Sequence, residues 1–256
     1  MSKRVNYYWR LSMTALSFLT FGMLGVLLSL TLFPILNFIP ARDKLARNQF
    51  IVHKIFKSFV LMMRGLGVLS VSVSNEHKLG QSAGKLVIAN HPSLIDVVLL
   101  IAHLPETNCI VKQSLWRNPC MSMIISAAGY IKNGAEPEDV LKACQQELDK
   151  GASLIIFPEG TRTTPGEALK MQRGAANIAL RCSVDLLPVT IKVSPTTLTK
   201  SEPWYAIPAS KPHFSLDIGD PIRSHDICLN DESDSRKART ITRYLQQHFY
   251  KELNCQ

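Results

Sequence analysis

Acidic residues are nearly missing from the first quarter of the chain. Residues 1–64 hold Asp43 alone against nine Lys and Arg side chains: Lys3, Arg4, Arg10, Arg42, Lys44, Arg47, Lys54, Lys57 and Arg64. The net charge of +9 over 256 residues is therefore concentrated there, and the rest of the chain is close to neutral. A nucleic-acid binder is expected to carry its charge on the folded domain, and no nucleic-acid motif is present. Basic residues beside the greasiest stretch of the sequence suit an anionic membrane surface better. Also missing are a C-x-x-C pair and an H-E-x-x-H run. Their absence removes the usual zinc spacings. The six cysteines, Cys109, Cys120, Cys144, Cys182, Cys228 and Cys255, read as reduced thiols rather than a disulfide framework in a chain of this size.

Charge is absent altogether between Arg10 and Arg42. The run Leu11–Pro40, interrupted by Pro34, exceeds the roughly 20 apolar residues that a bilayer crossing needs. It is too long for the apolar part of a signal peptide and lacks a small-residue cleavage site, so it reads as a retained membrane helix. Basic residues flank it on both sides. The larger downstream cluster favours a cytoplasmic location for residues 42 onward, and crossing the bilayer or lying in one leaflet both remain open. Phe50–Leu69 reads as a basic amphipathic helix, either at the membrane interface or packed on the domain.

From residue 68 onward short apolar runs alternate with helical periodicity. Strands are expected at Val68–Val73, Lys85–Ala89, Cys109–Lys112, Ser153–Phe157, Leu186–Val193 and His213–Ile218. Helices are expected at about Pro92–His103, Asn118–Ala128, Glu138–Lys150, Gly174–Arg181 and Ser235–Leu253. This pattern predicts an α/β fold: a mixed, largely parallel sheet flanked by helices, with an N-terminal membrane-embedded helical segment. The division falls into anchoring helices at 1–66 and an α/β domain at 67–256, and a fragment lacking residues 1–64 is expected to fold.

Two clusters can do chemistry, and both follow buried strands, where side chains of α/β proteins converge on ligands. The first is Asn90-His91-Pro92-Ser93-Leu94-Ile95-Asp96. A proline at 92 suits a first helical turn, and a corner there brings Asp96 within reach of the His91 ring. A carboxylate on one ring nitrogen leaves the other free to take a proton. Alone, the pair reads equally as a satisfied structural histidine. The second cluster is Phe157-Pro158-Glu159-Gly160-Thr161-Arg162-Thr163-Thr164-Pro165-Gly166. Arginine grips phosphate through parallel hydrogen bonds, and a glycine lets backbone amides approach an anion. Alone, it reads equally as a polar turn with an incidental ion pair. Lys170 and Arg173 add a basic pair near the next helix start, which itself favours anions.

Together, His91-x-x-x-x-Asp96 (an HX4D motif) and Phe-Pro-Glu-Gly-Thr-Arg some sixty residues on resemble the glycerolipid acyltransferase family, of PlsC-like type. Its best-known members acylate 1-acylglycerol-3-phosphate to phosphatidic acid. The likeness covers roughly residues 80–195. It implies His91 as base, Asp96 as its orienter, and Glu159, Gly160, Thr161 and Arg162 as contacts to phosphate or glycerol. Leu187-Pro188-Val189-Thr190-Ile191 is similar to the family's last motif, an apolar strand lining the acyl site. Two departures stand out. Gly129-Tyr130-Ile131-Lys132 places Lys132 where an arginine is usual. Gln172 stands where a lysine beside Arg173 is common, leaving Lys170 to serve instead.

The resemblance implies an O-acyltransferase of phospholipid biosynthesis with no cofactor. Acyl-CoA or acyl-carrier protein is the co-substrate, and the acceptor lysophospholipid and membrane lipids are the partners, with no nucleic acid and no metal. The catalytic domain is expected to face the cytoplasm from a cytoplasmic or inner membrane. Two alternatives remain: transfer to another acceptor, such as a lyso-aminolipid or pathway-specific lipid, and a non-catalytic membrane scaffold that binds acyl-carrier protein.

Overall fold

A computed structural model describes residues 3–118, 121–134, 136–164, 166–228 and 233–254. Cys120, Pro165 and Cys255 lie outside the described residues. Three helices come first: α1 (Lys3–Leu30), α2 (Leu32–Phe38) and α3 (Lys44–Gly65). Then follow β1 (Ser70–Ser74), β2 (Leu86–Ala89), α4 (Asp96–His103), β3 (Thr107–Lys112), α5 (Ser122–Ala127), β4 (Ile131–Asn133) and α6 (Pro137–Asp149). The chain closes with β5 (Ser153–Ile156), α7 (Gly174–Arg181), β6 (Leu186–Ser194), β7 (His213–Ile218), α8 (Ser224–Ile227) and α9 (Asp234–Asn254).

The strands form one sheet in the order β1-β7-β6-β2-β5-β3-β4. Every pairing is parallel except β6 with β7. The central strands read Leu-Val-Ile-Ala and Ser-Leu-Ile-Ile because both faces of a parallel sheet are covered by helices. On one face Val87, Ala89, Ile155, Leu187 and Val189 join the core made with α3, α4 and α5. On the other, Leu86, Ile88, Leu154 and Leu186 pack with α6, α7 and α9.

Most expected boundaries hold to a few residues, and the differences at two places bear on the site and its core. The helix after β2 begins at Asp96 and not at Pro92. Residues 92–95 instead form a turn, because Leu94 N–H donates across to Leu198 O at 3.1 Å and Ser93 N–H donates to Asp96 Oδ2 at 2.7 Å. The short edge strand β4 has no counterpart among the expected elements; three residues carry too little alternation to be read.

α3 is the second place. Asp43 caps it by accepting Ala46 N–H at 2.9 Å, so it starts well before Phe50. Its buried face, including Val52, Phe56, Phe59, Val60 and Met63, lies in the same core as β2 and α4. Its buried polar side chains close neighbouring helices: Asn48 and Gln49 donate to the C-terminal carbonyls of Ala127 and Ala128, at 2.9 and 3.1 Å. His53 Nδ1 meets Ile101 O at 2.8 Å. A fragment beginning at residue 65 thus lacks the α3 side chains that share this core with β2 and α4.

α1 is inside-out by the standard of a water-soluble helix. Its buried positions are Arg10, Thr14, Ser17, Gly25 and Ser29, whereas Leu16, Leu19, Met23, Leu27 and Leu30 face outward. An exposed face with that composition demands an apolar surrounding. Residues Lys3–Leu36 are long and apolar enough to cross a membrane by length and composition.

Candidate active site

β2 and β5 run side by side in parallel, with Ile88 opposite Ile156. The residues that leave their C-terminal ends therefore emerge together: Asn90-His91 from β2, and Phe157-Pro158-Glu159 from β5. This adjacency joins the two sequence clusters. Asn90 fixes the exit from β2 on its other side. Its side chain donates to Ile191 O at 2.8 Å and accepts Ile191 N–H at 2.7 Å, imitating one more rung of the β2–β6 ladder.

His91 Nδ1 lies 2.9 Å from Asp96 Oδ2. Asp96 is fully buried, while the His91 side chain keeps 19% of its exposure. Because Oδ2 also takes the Ser93 N–H, the carboxylate is held from two directions and the ring has one orientation. Asp96 Oδ1 and Ser93 Oγ, both enclosed, have no partner among the described residues. Burial pushes the Asp96 carboxyl up to about 6, against the opposing pull of the His91 hydrogen bond, its charge and the Ser93 amide. Phe157 stacks on the imidazole, with ring centroids 4.3 Å apart and planes 28° apart, and supplies an apolar wall.

Glu159 is the joint between the clusters. Oε1 accepts the His91 backbone N–H at 2.8 Å, and Oε2 accepts the Thr163 hydroxyl in a short bond. Thr163 N–H in turn donates to His91 O at 2.8 Å. Burial raises the Glu159 carboxyl above its ordinary value, opposed by the Thr163 hydroxyl, the His91 amide and the His91 charge. Gly160 occupies φ +68, the left-handed region that the reversal after β5 requires. Thr161 is half-buried beside it. Arg162 Nη1 donates to Leu198 O and Thr199 O at 2.9 and 2.8 Å, and Arg162 as a residue is only half-buried. Since Leu94 N–H reaches the same Leu198 carbonyl, the 91–96 turn and Arg162 share one neighbourhood.

His91, Asp96, Glu159, Gly160 and Arg162 are thus assembled. The remaining basic candidates stand apart from this network. Lys132 is exposed on the edge strand β4, opposite Val111. Lys170 is exposed, and Arg173 lines a cavity of about 520 Å³ with Asn133, Glu138 and Arg181. Gln172, rather than Lys170, abuts the motif turn: its N–H donates to Pro158 O at 2.7 Å, and a side chain at Gly160 would sit 3.8 Å from its Cγ. Leu187 and Val189, read as acyl-site lining, are fully enclosed in the core shared with α3 and α4. Sequence reasoning missed the structural parts played by Asn90, Phe157, Thr163, Leu198 and Thr199. The four-residue spacing of Glu159 and Thr163 was a usable signal for one of them.

An imidazole backed by a buried carboxylate thus shares a neighbourhood with a half-buried arginine. Residues 70–192 match the family model described as Acyltransferase. This match, over just under half of the chain, supports an acyltransferase-type domain there. The chain is 32% identical over 148 residues to a 1-acyl-sn-glycerol-3-phosphate acyltransferase of Helicobacter pylori, covering 55% of this chain and 62% of that protein. It is 31% identical over 117 residues to the chloroplastic LPAT1 enzyme of Arabidopsis thaliana, which bears the same activity name, covering 43% of this chain and 33% of that protein. The chain therefore spans less than two thirds of the length of these curated relatives. The crystal structure of the 1-acyl-sn-glycerophosphate acyltransferase PlsC from Thermotoga maritima superposes with a TM-score of 0.67 at 19% identity, over 96% of this chain and 98% of that one. The acyltransferase domain shares that fold, and its HX4D residues are the His91–Asp96 pair described above.

Proposed function

We propose that the chain transfers a fatty acyl group from an acyl thioester, acyl-CoA or acyl-carrier protein, to the free hydroxyl of a lysophospholipid. The favoured acceptor is 1-acylglycerol-3-phosphate, giving phosphatidic acid. The observation that carries this reading is the His91–Asp96 bond at 2.9 Å. With Nδ1 donating to the carboxylate, Nε2 presents a lone pair. It takes the proton of the acceptor hydroxyl as that oxygen attacks the thioester carbon. Collapse of the tetrahedral adduct breaks the C–S bond, and the thiolate leaves with the proton that the imidazolium returns. Asp96 stabilises the imidazolium in between. No covalent bond to the protein forms. Arg162 receives the acceptor phosphate on the guanidinium edge not occupied by Leu198 and Thr199, while Glu159 and Gly160 shape the loop around it.

The outward Leu, Met and Val side chains of α1 rest in the membrane, with exposed basic residues such as Lys54, Lys57 and Arg64 on anionic headgroups at the cytoplasmic side. Residence there spares a long-chain acceptor an extraction cost of about 0.8 kcal/mol per methylene. The anchoring unit is α1 with α2, and α3 folds with the catalytic domain because its apolar face is shared with β2 and α4.

The test is to incubate the purified protein with labelled acyl-CoA or acyl-carrier protein and a panel of lysolipids, and identify the products. Label in phosphatidic acid supports the reading. Label only in a phosphate-free lysolipid moves it to the alternative acceptor class, which Lys132 and Gln172 at normally basic positions favour. No label in any lipid contradicts both.

A further inference from the structure

Residues 195–212, between β6 and β7, have no regular secondary structure, so their backbone groups need partners from elsewhere. Two arginines from distant parts of the chain supply them. Arg162 Nη1 donates to Leu198 O and Thr199 O. At the other end, Arg10 of α1 donates from Nη2 to Pro208 O at 2.9 Å and Ala209 O at 2.7 Å, and from Nη1 to Ser210 O at 3.1 Å. Its Nε is held by Asn6 Oδ1 at 3.0 Å. Arg10 is 2% exposed. It is the last cation before the charge-free run of α1, spent on three carbonyls of the α/β domain.

The two clamps meet. Arg10, Thr197, Leu198, Ile207 and Pro208 line one void of about 20 Å³, so the two ends of the loop fold against each other. Leu198 is held at φ +54, a conformation that a branched residue adopts only when its surroundings impose it. The carbonyl that receives both Arg162 and Leu94 thus belongs to a residue whose shape depends on the packing that Arg10 completes.

We propose that Arg10 is a positioning residue for acceptor binding. By fixing residues 208–210 it holds the loop in the form that presents the Leu198 and Thr199 carbonyls to Arg162, and so aims the remaining guanidinium edge. The N-terminal helix then acts on the reaction itself as well as on membrane residence. This inference rests on Arg162 being the acceptor contact.

The experiment uses the full-length protein in detergent micelles, where anchoring no longer limits access. KM for 1-acylglycerol-3-phosphate and KM for acyl-CoA are measured separately for Arg10→Ala, Arg10→Lys, Arg162→Ala and the Arg10→Ala/Arg162→Ala double variant. The expected result for Arg10→Ala is a rise of roughly 3- to 30-fold in acceptor KM, an unchanged acyl-CoA KM and unchanged sedimentation with anionic vesicles. Arg10→Lys, a point charge unable to span three carbonyls, shows a smaller rise of the same kind, and it carries the test if the alanine variant fails to fold. In the Arg162→Ala background the Arg10 change adds nothing further. Wild-type acceptor KM in folded Arg10 variants, equal rises for both substrates, or full additivity with Arg162→Ala would each overturn the proposal. A wild-type acceptor KM in Arg162→Ala alone instead removes the role given to Arg162, and this inference falls with it.

Discussion

Glu159 Oε1 accepts the backbone N–H of His91 at 2.8 Å, so the second sequence motif holds the first by its main chain. The acid does not touch the imidazole proton; it sets where the imidazole stands. Breaking this link should misplace the base without removing it. Glu159→Ala is expected to lower kcat by about 10²-fold, the scale of a small misplacement at a reacting centre, and to lower Tm because the His91 amide and the Thr163 hydroxyl both lose their acceptor. Thr163→Val removes one arm only and should fall between wild type and Glu159→Ala in both measurements. Steady-state kinetics with thermal melts checks the order, and a Thr163→Val loss larger than that of Glu159→Ala contradicts it.

The raised Asp96 carboxyl gives stability a definite pH sign. The folded protein holds this proton more tightly than the unfolded chain, whose value is near 3.8. The group's stabilising contribution is therefore full below that value and is lost as pH rises through about 6. At pH 8 the buried carboxylate is a net cost, relieved in part by His91. Asp96→Asn keeps an acceptor for the Ser93 amide. It should raise stability at pH 8 by on the order of 1–3 kcal/mol and remove this contribution to the slope of Tm between pH 4 and 6. Activity moves the other way. In wild type kcat falls as pH drops below about 6, and in Asp96→Asn kcat is low throughout. Denaturant melts across pH with parallel rate profiles test both. A less stable and equally active Asp96→Asn would contradict this account.

Truncation separates anchor from core. Residues 65–256 lack Val52, Phe56, Phe59, Val60 and Met63, all buried against the α4 side of the sheet. At about 1.5–3 kcal/mol for each large apolar side chain, their loss is comparable with the whole stability of an ordinary domain. That fragment should show no cooperative unfolding transition by circular dichroism or calorimetry. A sharp melt from it would show that α3 is dispensable.

Much of this was legible in the sequence because the central strands are short, apolar and bounded by breakers, and because Pro137 and Gly151 delimit α6. The His91–Asp96 pair was legible as a spacing. That β2 neighbours β5, which puts Glu159 under His91, was not, since strand order is a property of the folded sheet. The start of α4 was misread because Pro92 suits a first turn, whereas the Asp96 side chain takes the Ser93 amide and delays the helix by four residues. The service of Leu198 and Thr199 to Arg162 leaves no mark on composition or period, because only their carbonyls take part.

The most direct test is the turnover of His91→Ala on 1-acylglycerol-3-phosphate and acyl-CoA, with folding checked by its melt. The ring is partly exposed, so the variant should keep its fold while kcat drops about 10²- to 10⁴-fold. A folded His91→Ala enzyme that makes phosphatidic acid at the wild-type rate would contradict the claim that this imidazole takes the acceptor proton.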